Sequence, residues 1–215
     1  MIDLHVHSLF SDGELLPSEL VRRLEDIGYS CVAITDHVDS SNLDFVILRL
    51  VEAARDLNQS QSVRVIPGVE ITHVPPGSME SLVKKARELG AEIVLAHGET
   101  IVEPVAKGTN RAAILSGVDI LAHPGLIAIE DIKLAVERGI YLEISARQGH
   151  SFANGYVARW AKELRARLVL NSDAHSPHDL MTRQFAQVVA HGSGLGENAL
   201  EEMLGNSRDL IEKIL

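Results

Sequence analysis

The sequence predicts an α/β fold, a TIM-like (β/α)7 barrel of parallel strands. Two observations carry this. Seven short apolar runs are each separated from the next by a segment of helical periodicity, and the reactive side chains fall at the carboxyl ends of those runs. Strict alternation with crossover helices means parallel strands. In an open sheet the edge strands would hold those side chains too far apart to act together. In a ring, all carboxyl ends converge on one mouth.

The first run, residues 1–7, contains His5 and His7. Residues two apart on a strand point the same way, so the two imidazoles project together while Ile2, Leu4 and Val6 face the other side. A buried imidazole pair is costly without hydrogen bonds or a metal, and neutral imidazole is a common ligand for zinc, iron and similar ions. Taken alone the pair is equally a polar strand end satisfied by hydrogen bonds. The later strand exits decide for metal.

Pro17 opens an amphipathic helix with Leu20, Val21, Leu24 and Ile27 at helical spacing and Gly28 as its stop. The second strand, residues 31–35, ends in Asp36-His37. A helix over 42–57 leads to a third strand, 63–69, that runs into Glu70. A helix at 78–89 precedes a strand at 92–96 ending in His97, and a helix at 103–115 precedes a strand at 118–122 ending in His123-Pro124-Gly125. These two strands form a faint repeat, each delivering a histidine at its exit. A helix at 129–138, a strand through Glu143 and Ile144, a helix at 152–165 and a strand at 168–170 then lead to Asn171-Ser172-Asp173-Ala174-His175. Helices at 178–190 and 197–214 finish the chain.

Composition narrows the function classes. The 215 residues are 46% hydrophobic and 23% charged, enough to bury a full core, and the reading is one domain over 1–215. A formal net charge of −10, with acidic residues spread over helical segments, argues against a broad nucleic-acid-binding face. The single cysteine, Cys31, excludes a disulfide framework. No apolar stretch approaches the roughly 20 residues of a membrane span, and residues 1–7 already read as a strand rather than a signal peptide. A cytoplasmic protein is the expectation.

Six of the ten histidines, His5, His7, His37, His97, His123 and His175, lie at predicted strand exits, with Glu70 and Asp173 at two equivalent places. Such a set without cysteine suits zinc, manganese or iron, and it exceeds what one tetrahedral ion needs. Two or three divalent ions are expected. A cluster of ions with open positions can clamp a phosphate, make hydroxide from bound water near neutral pH and stabilise the leaving oxygen.

These residues also carry a resemblance. Asp3-Leu4-His5-Val6-His7-Ser8 with Ser11-Asp12-Gly13, Thr35-Asp36-His37, Gly68-Val69-Glu70, the exit histidines His97 and His123, and Ser172-Asp173-Ala174-His175 resemble the motifs of the polymerase and histidinol phosphatase (PHP) superfamily. They stand in family order and span about four-fifths of the chain. The resemblance implies a distorted seven-stranded barrel, a trinuclear metal centre and phosphoesterase activity. It implies that His5, His7 and Asp173 hold a first ion, that Glu70 bridges it to a second completed by His97 and His123, and that Asp12, His37 and His175 hold a third. Asp12 stands where many relatives have histidine.

Other positions are read without a fixed motif. Asp36 is expected to accept a hydrogen bond from a ligand imidazole and fix its tautomer, or else to cap a helix. Arg147, after the sixth strand, is expected to bind non-bridging phosphate oxygens, and His150 to contact substrate or donate a proton. Lys107 and Arg111 are weaker candidates on a predicted helix. His73, His178 and His191 read as loop or helix histidines without a chemical role. The expected activity is hydrolysis of a small phosphomonoester, histidinol phosphate or a nucleotide being the substrates the resemblance suggests. The competing readings are a nuclease or phosphodiesterase, and a binding subunit like the ribonuclease P protein components with a similar barrel.

Overall fold

A computed structural model describes residues 1–214. The strands β1 (Ile2–Val6), β2 (Cys31–Ile34), β4 (Arg64–Ile71), β5 (Ile93–His97), β6 (Ile120–Ala122), β7 (Tyr141–Ser145) and β8 (Leu168–Asn171) pair in that order, each parallel to the next. The two-residue β3 (His37–Val38) pairs with Glu70 and Ile71 of β4, just beyond the point where Ile34 of β2 pairs with Pro67. It continues the line of β2 after a break at Thr35 and Asp36. The ring therefore has seven staves, as the sequence predicts, with one of them broken.

Every residue of β1, β2, β5, β6, β7 and β8 is buried, as strands covered on both faces must be. Around them lie α1 (Pro17–Asp26), α2 (Leu43–Leu57), α3 (Met79–Glu88), α4 (Thr109–Ser116), α5 (Ile129–Arg138), α6 (Asn154–Leu164), α7 (Arg183–Gly192) and α8 (Ala199–Ile214). Each turns an apolar stripe inward; α2, for example, buries Leu43, Val46, Ile47, Leu50, Ala54 and Leu57. Among the described residues no helix is long and apolar enough to cross a membrane.

The ring closes between β1 and β8 without a regular ladder. Val6 and Ala174 form a single bridge, the His7 amide donates to the Ala174 carbonyl at 2.9 Å, and the Asp173 amide donates to the His5 carbonyl at 2.9 Å. Side chains complete the seam. The Leu4 amide donates to Asn171 Oδ1 at 2.9 Å, and the Ser172 amide donates to the buried Asp3 carboxylate at 3.1 and 3.2 Å. Burial pushes the Asp3 carboxyl up to about 7, with the Ser172 hydrogen bonds opposing.

Two helices start later than the periodicity predicts. The expected helix over 103–115 begins only at Thr109, because Pro104 and Gly108 interrupt it and Glu99 Oε1 accepts the amides of Gly108 and Asn110 at 2.9 and 3.0 Å, acting as its cap. Lys107 therefore stands on a loop, and Arg111 pairs with Asp131 at 2.8 Å on the outside. The expected helix over 178–190 begins at Arg183, where Thr182 accepts from the Phe185 amide; a capped 3-10 turn precedes it.

Gly68 marks a close approach of two staves. A β-carbon there would stand 2.5 Å from Ile93 Cγ2 and 2.8 Å from the Ile93 carbonyl oxygen. Gly68→Ala should therefore destabilise the fold by about 1–3 kcal/mol through overpacking. Gly77→Ala, which would meet nothing within 4 Å, should stay within about 0.5 kcal/mol. Urea unfolding of both variants checks this; equal stability would mean that β4 and β5 can spread without cost.

Candidate metal centre

The carboxyl ends of the staves deliver polar groups to the mouth. His5 lies within β1 and His7 just past it, Glu70 near the end of β4, His97 at the last position of β5, His123 one residue beyond β6, and Asp173 and His175 on the turn after β8. The Glu70 carboxylate stands at the centre. Its Oε2 is 3.3 Å from His5 Nε2, 3.6 Å from His7 Nε2 and 2.7 Å from His37 Nδ1, while Oε1 is 3.3 Å from His123 Nε2. Asp173 lies opposite, with Oδ1 3.4 Å from His7 Nε2 and Oδ2 3.6 Å from His123 Nε2. To one side, Asp12 Oδ1 is 3.1 Å from His175 Nε2 and 3.7 Å from His37 Nε2.

This packing leaves polar atoms without partners. His5 Nε2, both His7 nitrogens, both Glu70 oxygens, His123 Nδ1 and Asp173 Oδ2 are buried without a hydrogen bond. Each orphaned group would cost about 1–3 kcal/mol if nothing else met it. All are metal-donor atoms of imidazole and carboxylate groups gathered at one mouth, the donor set that divalent ions take. The residues present fit a metal centre.

The His5 tautomer is fixed by a residue the sequence reading passed over. His5 Nδ1 donates to Glu143 Oε1 at 2.8 Å, which turns Nε2 toward Glu70 and Asp173. Glu143 also accepts from Asn171 Nδ2 at 2.8 Å and from the His123 amide at 3.0 Å, so one carboxylate positions two exits. Burial alone would raise the Glu143 carboxyl, but the adjacent His5 outweighs it and holds it at about 2. A lone glutamate inside the apolar run Tyr141-Leu142-Glu143-Ile144 was the available signal.

Asp36, by contrast, takes no imidazole among the described residues. Its Oδ1 accepts the amides of Ser8 and Ser11 at 2.9 and 3.0 Å and the Ser11 hydroxyl at 2.7 Å, and Oδ2 accepts the Ser8 hydroxyl at 2.7 Å. It shapes the loop that carries Asp12, and α2 begins seven residues later, so it is not a helix cap either. Its four donors are the amides and hydroxyls of Ser8 and Ser11.

Arg147 reaches the mouth, donating from Nη1 to the Asp173 carbonyl at 3.1 Å and to His175 Nδ1 at 2.6 Å. His150 is buried there, its Nδ1 2.7 Å from Thr100 Oγ1 and its ring stacked on His123 at 4.0 Å. Burial and the neighbouring His123 push the His150 ring down to about 3, so it is neutral and suited to contact rather than to proton donation. His178 and His191 are exposed and lie outside the mouth. His73 does not: its Nε2 sits 3.0 Å from Glu103 Oε2, beside His97. Periodicity placed Glu103 on a helix, and the early end of that pattern at Pro104 was the missed clue.

A parallel barrel whose mouth gathers nine imidazole and carboxylate donors is the architecture of a metal-dependent hydrolase. A family model for the PHP domain matches residues 3–122, and the chain belongs to that family. An uncharacterized protein of Methanocaldococcus jannaschii is 46% identical over 215 residues, 99% of each chain. Ribonuclease P protein component 3 of Methanosarcina barkeri is 27% identical over 216 residues, 93% of this chain and 83% of its own. A chain in the structure of archaeal ribonuclease P with mature tRNA shares the fold, with a TM-score of 0.75 at 16% identity over 98% of this chain and 90% of that one. So does a Listeria monocytogenes protein proposed to be a histidinol phosphatase, with a TM-score of 0.60 at 12% identity over 84% and 97%.

Removing the acceptor that orients His5 should loosen the centre. Glu143→Ala should weaken metal affinity by about 10- to 100-fold, and Glu143→Gln, which keeps an acceptor oxygen, by less. Competition with a chromogenic chelator measures both; unchanged affinity in Glu143→Ala would mean His5 does not bind metal through Nε2.

Metal binding should also depend on pH. Burial opposes protonation of His5, His37 and His97, but Glu143 and Glu70 beside His5, Glu70 beside His37 and Glu103 beside His97 lift all three above the ordinary imidazole value. Protonated, these rings stabilise the metal-free fold below that ordinary value, and the contribution is lost as pH rises through the raised values. Ions compete with the same protons. The rise in Tm on adding manganese or zinc should therefore grow between about pH 6 and about pH 8. A pH-independent rise would mean that no proton leaves these rings on binding.

Proposed function

We propose that the protein is a metal-dependent phosphoesterase acting on a small phosphomonoester. The observation that carries this reading is the placement of Arg147. Among the described residues it is the only lysine or arginine lining a cleft of about 350 Å3 otherwise walled chiefly by imidazoles and carboxylates. Bound in that cleft, two or three divalent ions such as zinc, manganese or iron would supply Lewis acidity and acidify water for attack at phosphorus. His5, His7, Glu70 and Asp173 would hold one ion, Glu70, His97 and His123 a second, and Asp12, His37 and His175 a third.

The chain's own groups then divide the remaining work. Arg147 uses Nη1 on Asp173 and His175, leaving its other nitrogens to donate to non-bridging phosphate oxygens in a planar fork. The neutral His150, held by Thr100, offers Nε2 to the substrate. Glu143 keeps the His5 ring in register, so the donor set is organised before substrate arrives.

The cleft favours a small ester over a polynucleotide. No phenylalanine, tyrosine or tryptophan lines it, so it offers no platform on which bases could stack. The net charge of −10 also repels an extended polyanion. The kinship with a ribonuclease P component supports a second reading, an RNA-binding subunit. Against it, a subunit that only binds has no use for nine converging donors with unpartnered atoms.

A phosphate-release screen over phosphomonoesters and nucleotides, with manganese and zinc, tests the reading beside oligonucleotide substrates. A monoester dianion carries one more negative charge than a diester and gains more from a guanidinium. Arg147→Ala should therefore cost roughly 10- to 1000-fold in kcat/KM on monoesters, about 1.4 to 4 kcal/mol, and markedly less on bis-p-nitrophenyl phosphate. Equal losses on both, or a wild-type enzyme that prefers oligonucleotides, would overturn the assignment in favour of a nuclease. Metal-loaded protein without any phosphoesterase activity that binds RNA tightly would favour the subunit.

A further inference from the structure

A second group of ligand-type side chains meets at the rim of the mouth. His73 and His97 both turn Nε2 toward Glu103 Oε2, at 3.0 and 3.1 Å, and the three donor atoms lie within 4.8 Å of one another. They arrive from separate places: His73 two residues past β4, His97 at the end of β5, Glu103 on the loop before α4.

The backbone is built to bring them there. His73 has φ of 53°, in the left-handed region that a β-carbon resists. His123 and Asp173, both donors in the mouth, are held in positive φ as well. Strained residues of this kind persist where surrounding structure overdetermines them, which is typical of functional sites. The loop carrying Glu103 is pinned at its far end by the Glu99 carboxylate and at its near end by the Asn110 side chain, whose Oδ1 accepts the Glu99 amide at 2.9 Å.

We propose that His73, His97 and Glu103 form a further position for a divalent transition-metal ion at the rim, where His73 and Glu103 stand outside the donors that the family motifs define and His97 is shared with them. Two imidazoles and a carboxylate suit zinc, manganese or iron and leave room for water. His97 directs Nδ1 to the Gly98 carbonyl at 3.2 Å, so Nε2 alone is free to bind. An ion at the rim and an ion drawn inward by Glu70 and His123 therefore compete for one nitrogen. Access differs as well: the His73 and Glu103 side chains are 41% and 37% exposed, against 3% for His97 and 1% for His123. An ion from solution meets the rim first and passes inward by exchanging ligands around His97.

Cobalt(II) added to metal-free protein is the probe, read by its visible absorption and by equilibrium dialysis. In a His123→Ala background the inner position lacks a donor, and the rim should still hold an ion. Adding His73→Ala and Glu103→Gln should then remove one bound equivalent. With His123 intact, the same two substitutions should slow cobalt uptake about 10-fold or more, the scale on which even outer partners of a ligand act. Both rim side chains are part-exposed, and circular dichroism of the metal-free variants checks that the fold is kept. Equal cobalt content and equal uptake rates with and without the rim substitutions would overturn the proposal, leaving Glu103 a carboxylate that only pairs with the His73 and His97 rings. Neither readout involves ester cleavage, so a failed phosphatase screen would leave this result standing on its own.

Discussion

Closure of the sheet between β1 and β8 is the constraint on which the site depends. His5 and His7 come from the first stave, Asp173 and His175 from the last, 166 to 170 residues later in the chain. Only a ring makes these ends neighbours. Yet the seam has a single backbone bridge, Val6 to Ala174, and relies on Asp3 and Asn171 to receive the amides of Ser172 and Leu4. Asp3 opens the His5-x-His7 motif without facing the metal donors; its place is in the seam that aligns them. A carboxyl pushed up by burial to about 7 is tolerated there because amides would otherwise go unpaired.

The second constraint is charge. Glu70, Glu143 and Asp173 are buried carboxylates, and burial by itself favours their neutral forms. The imidazoles around Glu70 and Glu143 reverse that preference and hold both well into the ionised range, while Asp173, facing Glu70 and Glu143, stays raised. The centre is thus a net of donors that balance one another poorly. Protons on His5 and His37 can relieve the repulsion only in part, since His7 is pushed well below the ordinary imidazole value by burial and by its histidine neighbours. Divalent ions bring the missing positive charge at the places where atoms lack partners.

The ring of strands was legible in the sequence because parallel staves buried on both faces read as apolar runs, and the exits were legible because polar groups at those positions break the runs. What the pattern could not show is which polar groups meet through space. Glu143 looks like an interruption in β7, and only the fold shows its oxygens on His5 and the His123 amide. Asp36 sits beside His37 in sequence, yet the break between β2 and β3 turns it back to Ser8 and Ser11. Glu103 was hidden for another reason. Pro104 and Gly108 end the helical pattern in the chain itself, which leaves Glu103 on the loop before α4.

His73, His123 and Asp173 share a feature that links backbone to chemistry. Each stands at positive φ without being glycine, at a cost of order 1–3 kcal/mol apiece. In each case the turn follows a stave within two residues. The left-handed turn aims the donor inward, and the interactions that hold it are distributed. The Glu143 carboxylate receives the His123 amide, the His5 carbonyl receives the Asp173 amide, and Glu103 meets the His73 ring. The strain is therefore offset by the same contacts that set the donors' positions. A ring that simply buried its apolar runs would have no reason to adopt three such turns at one end.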